Sequence, residues 1–334
     1  MKKIIIVLIL IICLCGCDNS SSNTKKELNV LNWSSYIPME VIDDFEKEYN
    51  IKVNYGTYSS NEELLAKISS SKSGTYDLIF PSDYMVELMI KKDMLMPIDI
   101  TQIPNYSNIN NLFLNQEFDP NNSYSLPFLA ATTVIAVNRD NIKDKIDGYN
   151  DLLNEKYKNN IVLIDDQRIV IGMGLQASGF GMNETSKLVL ERGKEWLLKL
   201  KDNIKAYDSD SPKTFLITNE VDIGMMWNAE AIIAKEYNPN IEIIYPKEGF
   251  AISLDNYVLV KGAKNVDNAY KFINYLLRDD VNKKITEEYP YVNTTITNMN
   301  LDYDELKMVL DTASYVENIG SSISLYDKIW AEIK

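Results

Sequence analysis

The stretch Tyr76-Asp77-Leu78-Ile79-Phe80-Pro81-Ser82-Asp83-Tyr84 joins an apolar run to a polar loop. A short apolar run that ends at a turn signal is typical of a buried strand. Pro81 and Ser82 supply the turn signal, and polar or aromatic side chains follow at once. The stretch therefore predicts a buried strand over 77–80, with candidate functional side chains in the loop beyond it.

The same alternation of strand and helix continues along the chain. Strands are predicted over 28–33, 51–55, 132–138, 161–164, 241–245 and 257–260. Helices are predicted after Pro38, after the capping box Ser60-x-x-Glu63, and over 184–200 and 266–277. Strands that alternate with helices of this length predict an α/β fold with largely parallel sheets.

The N-terminus has the pattern of an export signal. Lys2 and Lys3 precede an apolar run at 4–12, and Leu14-Cys15-Gly16-Cys17 follows shortly after it. This pattern predicts a secretory signal peptide, since a membrane-spanning helix needs about 20 apolar residues. The Leu-x-Gly-Cys ending resembles the bacterial lipobox, which implies removal of residues 1–16 and lipidation of Cys17. The polar segment 17–27 is then a flexible tether, and the choice of membrane leaflet stays open.

The composition favours binding over catalysis. The chain has no histidine, and its three cysteines all lie at or before position 17. The exported part therefore has neither the imidazole nor the thiol of the common nucleophilic sites, and it has no disulfide. A formal net charge of −14 argues against nucleic acid, which requires a basic surface. No cofactor or metal motif is present, and the length predicts two domains.

Five loops that follow predicted strands are the candidate ligand-binding segments. Ligands of open α/β sheets bind beyond the carboxyl ends of the strands. The loops lie at 33–36, 81–84, 165–169, 227–230 and 253–256, and each carries an aromatic residue or a carboxylate. Any one of these side chains could be a core residue or a helix cap. Their repetition at equivalent places favours a ligand site.

Three runs of sequence resemble one known family. They are Asn32-Trp33-Ser34-Ser35-Tyr36-Ile37-Pro38, the stretch 76–84, and Phe118-Asp119-Pro120-Asn121-Asn122-Ser123-Tyr124-Ser125-Leu126-Pro127. In this order they are similar to the spermidine/putrescine-binding lipoproteins of bacterial ABC importers. Trp227-Asn228, 245–249 and 325–330 extend the resemblance over nearly the whole exported chain.

This resemblance implies a periplasmic-binding-protein fold of the second type, with a ligand cleft between two lobes. The first lobe is expected at 28–136 plus 255–298, and the second at 137–254 plus 299–334. The chain is expected to cross between them near 134–138 and near 253–257. The protein is expected to be a monomer that delivers its ligand to ABC permease subunits.

The resemblance also implies a polyamine site. Carried over by position, the aromatic wall consists of Trp33, Tyr36, Tyr84, Trp227 and Tyr289, the ammonium ligands are Asp166 and Asp255, and the hydroxyl acceptors are Ser34 and Ser82. This set suits a polyamine, because each buried ammonium group needs oxygen partners and the methylenes need apolar walls. Aromatic faces also attract cations.

Three positions differ from the family pattern. Ile169 stands where a glutamate is typical, Ser253 where a tryptophan is typical, and Ala130 where a tryptophan is frequent. A missing carboxylate weakens a trivalent ligand more than a divalent one, so one hypothesis is a preference for putrescine or another short amine. The competing hypothesis is that Glu230 supplies the missing charge.

Other functions stay open at this stage. The same fold could bind a different small cationic or amino-acid-like ligand, or serve as a sensory or surface lipoprotein without a transporter. A ferric site is disfavoured, because the 21 tyrosines include no adjacent pair. An enzyme is disfavoured by the lack of histidine, of a thiol and of a glycine-rich phosphate loop.

Overall fold

The computed structural model describes residues 26–209, 211–297 and 303–334. The predicted signal peptide, Cys17 and nearly all of the tether lie outside these residues. Within the described ranges, no helix is long and apolar enough to cross a membrane.

Eleven strands and eleven α-helices make up the described parts of the chain. The strands are β1 Lys26–Trp33, β2 Ile51–Tyr58, β3 Leu78–Ile79, β4 Ser125–Asn138, β5 Ile161–Leu163, β6 Ile204–Tyr207, β7 Ile223–Trp227, β8 Ile241–Ile244, β9 Ala251–Leu259, β10 Val292–Asn293 and β11 Ser314–Tyr315. The helices are α1 Met39–Tyr49, α2 Asn61–Ser70, α3 Asp83–Lys91, α4 Gln167–Ala177, α5 Lys187–Leu200, α6 Lys213–Ile217, α7 Asn228–Tyr237, α8 Val266–Leu276, α9 Asp279–Glu288, α10 Tyr303–Thr312 and α11 Ile323–Ile333. Short 3₁₀ helices lie at Ile100–Gln102, Pro104–Asn108, Asn111–Phe113, Pro120–Asn122, Tyr149–Leu153, Glu155–Tyr157, Lys201–Asn203 and Gly320–Ser322.

The long strand β4 connects the two halves of the sheet. The strand order is β2-β1-β3-β9-β4-β7-β5-β6, with β8 and β10 also paired to β4 and β11 paired to β9. β4 pairs with β9 as far as Thr132, which lies opposite Ile252. From Thr133, which lies opposite Trp227, it pairs with β7 instead. The strand therefore passes from one half of the sheet to the other between Thr132 and Thr133.

The prediction of largely parallel sheets is correct for the outer strands and for the short pair of β11 with β9, but not for the central strand. β1 is parallel to β2 and β3, and β5 is parallel to β6 and β7. The central strand β4 is antiparallel to β7, β8, β9 and β10. Hydrophobic periodicity identifies a strand but carries no information on its direction, so the reversal at the crossing strands could not be read from the pattern.

Most predicted elements are present with shifted ends. The predicted strand at 132–138 is the second part of β4, which begins at Ser125 and is buried along its whole length. The capping box at α2 is present in part, because the Ser60 hydroxyl accepts a hydrogen bond from the Glu63 amide at 3.1 Å. The Glu63 carboxylate in turn accepts the amide of Ser59, one residue before the cap, at 2.8 Å.

Two large hydrophobic clusters lie on either side of the β4 crossing. One contains Phe45 and Phe128, and the other contains Trp196 and Tyr326. Separate cores of this kind are expected when a chain of this length divides into lobes. The C-terminal helices divide between them, since α11 supplies Tyr326 to the second cluster, whereas Leu306 of α10 packs with residues beside the first.

Candidate ligand-binding cleft

A cavity of about 110 Å³ lies where the strands of the two halves end. Loops after β1, β3, β5 and β7 contribute to its walls, as expected for the carboxyl edge of an α/β sheet. Its lining consists of Trp33, Ser34, Ser35, Tyr36, Ser59, Asn61, Ser82, Tyr84, Ala131, Ile164, Asp166, Arg168, Ile169, Ser209, Trp227, Glu230, Ser253, Asp255, Tyr291 and Val316.

Asp255 is the most deeply buried carboxylate in this lining. Only 2% of the residue is exposed. The Ser82 hydroxyl donates to Oδ1 at 2.6 Å, and the Tyr36 hydroxyl donates to Oδ2 at 2.8 Å. Asn61 holds Ser82 from the other side, through an Nδ2 to Oγ hydrogen bond of 3.1 Å. The carboxylate is thus fixed in place by residues from three separate segments of the chain.

Burial raises the pKa of Asp255 to about 6, although the hydrogen bonds from Ser82 and Tyr36 lower it. Burial also raises the pKa of the neighbouring Asp83 to about 8. Asp83 is not among the lining residues, and it accepts the amides of Tyr84 at 2.7 Å and Leu254 at 3.1 Å.

Asp166 has both of the roles that its sequence position allows. It caps α4, with Oδ1 accepting the amides of Arg168 at 2.8 Å and Ile169 at 3.0 Å. It also lines the cavity. Burial raises the pKa of Asp166, and the two amide hydrogen bonds oppose that rise. The positive end of a helix favours a carboxylate here.

Aromatic rings form the walls on the Asp255 side. The Trp33 indole donates from Nε1 to the Phe80 carbonyl at 2.9 Å, and its ring lies 4.6 Å from that of Tyr58. Tyr58 donates to the same carbonyl at 2.6 Å. The polar edge of Trp33 is thereby held in place while the ring lines the cavity.

Two further aromatic residues line the cavity beyond Trp33. Trp227 lies at the end of β7 and packs against both hydrophobic clusters. Tyr84 donates to Glu62 Oε1 at 3.1 Å. The cavity therefore has rings from both halves of the fold.

The structure brings together nearly all of the residues that the sequence singled out. Trp33, Ser34, Tyr36, Ser82, Tyr84, Asp166, Trp227 and Asp255 line the cavity, as does Glu230. Tyr289 is not among the lining residues and is half-buried. Its place is taken by Tyr291, whose ring lies 4.7 Å from that of Tyr36.

The position of Tyr291 follows from the pairing of β10. Val292 lies opposite Ala130, so the chain just before it reaches the level of Ala131, which lines the cavity. For the same reason Ala130 lies outside the lining, where it packs in a separate core cluster. No local sequence signal distinguishes Tyr291 from Tyr289, since the choice depends on the strand register. The other two altered positions, Ile169 and Ser253, do line the cavity.

Two cations lie close to the cleft: Arg168 lines the cavity, and Lys213 pairs with the lining residue Glu230. Lys213 donates to both carboxylate oxygens of Glu230 at 2.8 Å. Arg168 is 7% exposed; it donates to the Glu317 carbonyl and to Asn183 Oδ1, each at 2.9 Å. Neither residue was predicted as a ligand contact, although Arg168 lies in the candidate loop 165–169. Lys213 is brought to Glu230 by a tertiary contact.

The fold and the cleft define a two-lobed solute-binding protein. A model of the bacterial extracellular solute-binding proteins matches residues 40–308. A spermidine/putrescine-binding periplasmic protein of Salmonella typhimurium is 36% identical over 313 residues, which cover 91% of this chain and 90% of that protein. The putrescine-binding periplasmic protein PotF of Escherichia coli is 30% identical over 289 residues, covering 80% and 78% of the two chains.

A solved structure agrees with these matches. The spermidine/putrescine ABC transporter substrate-binding protein PotD from Streptococcus pneumoniae superposes with a TM-score of 0.79 and 31% identity, covering 92% of this chain and 98% of that one. The chain belongs to the bacterial extracellular solute-binding protein family. The predicted two-lobed α/β fold is confirmed.

Proposed function

We propose that this protein binds a polyamine in its cleft and delivers it to the permease of an ABC importer. The observation that carries the proposal is the Asp255 carboxylate, which is buried and oriented by two hydroxyl donors. Among the described residues it forms no ion pair with a lysine or arginine. A buried carboxylate without a cation is costly, and a ligand ammonium group would offset that cost.

The aromatic walls support the same chemistry. Rings of Trp33, Tyr36, Trp227 and Tyr291 surround the cavity and offer apolar faces to a chain of methylenes. Each buried methylene contributes about 0.8 kcal/mol, and each aromatic face adds about 0.5–2 kcal/mol toward a cation. The relatives' names, which specify spermidine and putrescine, agree with this ligand class.

Within that class we propose that a diamine is preferred over spermidine. Ile169 lines the cleft where a third carboxylate would be expected, and Glu230 is already paired with Lys213. Asp255 and Asp166 would then each bind one ammonium group. Tyr289 stays a candidate ligand contact at the rim of the cleft.

Calorimetric titration of the full chain, refolded to strip carried-over ligand, tests both proposals. We expect putrescine to bind at least tenfold more tightly than spermidine, because the third ammonium group lacks a free carboxylate. Tighter binding of spermidine would contradict the diamine preference. No measurable binding of putrescine, cadaverine, spermidine, spermine or agmatine would contradict polyamine binding. An amino-acid-like ligand would then be the next candidate.

The division into lobes is also a proposal. We place lobe 1 at 28–136 plus 255–298 and lobe 2 at 137–254 plus 299–334, with α10 packed against lobe 1. The two hydrophobic clusters support this division, and the β4 crossing at Thr132–Thr133 lies just before the proposed boundary. Ligand binding would close the lobes around the amine.

We further propose that Cys17 anchors a monomeric protein to the membrane surface by a lipid. The support is the sequence Leu14-Cys15-Gly16-Cys17 followed by a polar tether. The natural chain should partition into the detergent phase of a Triton X-114 extract, and a Cys17→Ser variant into the aqueous phase. Equal partitioning of the two proteins would contradict the anchor.

A further inference from the structure

We infer that Lys213 is a specificity-determining residue of the cleft, which neutralises Glu230 and so excludes a third ammonium group. This inference rests on the proposed polyamine function. The preference for a diamine then has two causes: the ion pair between Lys213 and Glu230, and the altered lining positions Ile169 and Ser253.

Glu230 lies in the cleft lining, and its partner Lys213 is not among the lining residues. Glu230 lines the cavity although only 9% of the residue is exposed. The Lys213 ammonium group lies 2.8 Å from both of its carboxylate oxygens. The ammonium group of Lys213 therefore already makes the contacts to Glu230 that an ammonium group of the ligand would make.

Glu230 lines the same cavity as Asp255 and Tyr291. Burial raises the pKa of Tyr291, and the charges of Glu230 and Asp255 raise it further. The pKa of Glu230 is raised by burial and by Asp208, and it is lowered by Lys213. Without Lys213, a buried and incompletely compensated carboxylate would face the cavity.

A count of charges shows the consequence. The cavity lining contains three carboxylates, those of Asp166, Glu230 and Asp255. Lys213 pairs with Glu230, and of the three only Asp166 and Asp255 form no salt bridge with a described lysine or arginine. A diamine matches two carboxylates, whereas spermidine brings a third ammonium group. Arg168, also in the lining, adds repulsion toward any extra cation.

The test is to titrate putrescine and spermidine into the natural chain and into Lys213→Met at pH 7.5. We expect Lys213→Met to raise the ratio of spermidine affinity to putrescine affinity at least tenfold, since Glu230 becomes available to the third ammonium group. Lys213→Gln, which removes the charge but keeps a hydrogen-bond donor, should raise the ratio in the same direction. This second variant covers the case in which Lys213→Met does not fold.

Two controls isolate the effect. The double variant Lys213→Met/Glu230→Gln should lose the gain in the ratio, because the freed carboxylate is gone. Lys194→Met removes a similarly shielded lysine that pairs with Glu332 and Glu191 outside the cavity lining, and it should leave the ratio unchanged.

The outcomes separate this inference from the proposed function. A ratio that stays within twofold in both Lys213 variants, while the natural chain binds putrescine, would overturn the role of Lys213 and leave polyamine binding intact. Failure of the natural chain to bind either amine would overturn both.

Discussion

Replacing Asp255 by asparagine should abolish tight polyamine binding and at the same time stabilise the empty protein. The carboxylate is buried, and each of its oxygens accepts a hydroxyl hydrogen bond. Leaving a buried ammonium group without its carboxylate costs about 3–5 kcal/mol, which corresponds to a loss of roughly 100-fold to 1000-fold or more in affinity. Titration calorimetry of Asp255→Asn with putrescine measures that loss.

The gain in stability has the same physical origin. The pKa of Asp255 rises from 3.8 to about 6 on folding, so the ionised form is unfavourable in the folded protein. At about 1.4 kcal/mol for each pKa unit, removal of the charge should raise the free energy of unfolding at pH 7.5 by up to about 3 kcal/mol. Asparagine retains a carbonyl acceptor for Ser82, and Tyr36 can reverse its hydrogen bond.

Chemical denaturation of the ligand-free proteins provides the comparison. The matched control is Asp165→Asn, since Asp165 is an exposed carboxylate outside the cavity lining and pairs with Lys334. It should bind putrescine like the natural chain and gain no stability. An Asp255→Asn variant that binds putrescine normally would contradict the assignment of Asp255 as the ammonium ligand. A variant that is less stable than the natural chain would contradict the cost assigned to its buried charge.

Polyamine affinity should fall steeply as the pH drops below 6. The ligand requires the ionised form of Asp255, whose pKa is about 6 in the empty protein. Affinity should therefore be nearly constant above pH 7, fall about tenfold by pH 5 and roughly 100-fold by pH 4. Burial also raises the pKa of Asp166, which makes the loss steeper. Titrations of putrescine between pH 4 and pH 8 would trace this curve.

The stability of the empty protein should change with pH in the opposite direction. A carboxyl group whose folded pKa is raised contributes stability that is full below its unfolded pKa and is lost as the pH rises through its folded pKa. For Asp255 that window extends from about pH 4 to pH 6. Asp255→Asn should remove this contribution from the pH profile.

Tyr36→Phe offers a sharper check on the midpoint. Loss of the hydroxyl donor removes one interaction that lowers the pKa of Asp255, so the midpoint of the affinity curve should move to higher pH. A midpoint that does not move would show that a group other than Asp255 controls the loss of affinity at low pH.

Much of the fold could be predicted from local patterns. Strands such as β1 and helices such as α8 follow from hydrophobic periodicity, with their ends shifted by one to two residues. Strand direction at β4 and the contact of α10 with the first half could not be predicted. Both depend on which distant segments pair, and periodicity does not record that.

The candidate cleft, too, could be predicted only in part from the sequence. The sequence alone determined the residue types available for binding, namely carboxylates and aromatic rings in loops after strands, and it ruled out histidine chemistry. The tertiary structure decided which of them meet. It brought Tyr291 rather than Tyr289 to the cavity through the register of β10, and it placed Lys213 against Glu230. The physical reason is that charge pairing and burial depend on distances between segments far apart in the chain, which the order of residues does not specify.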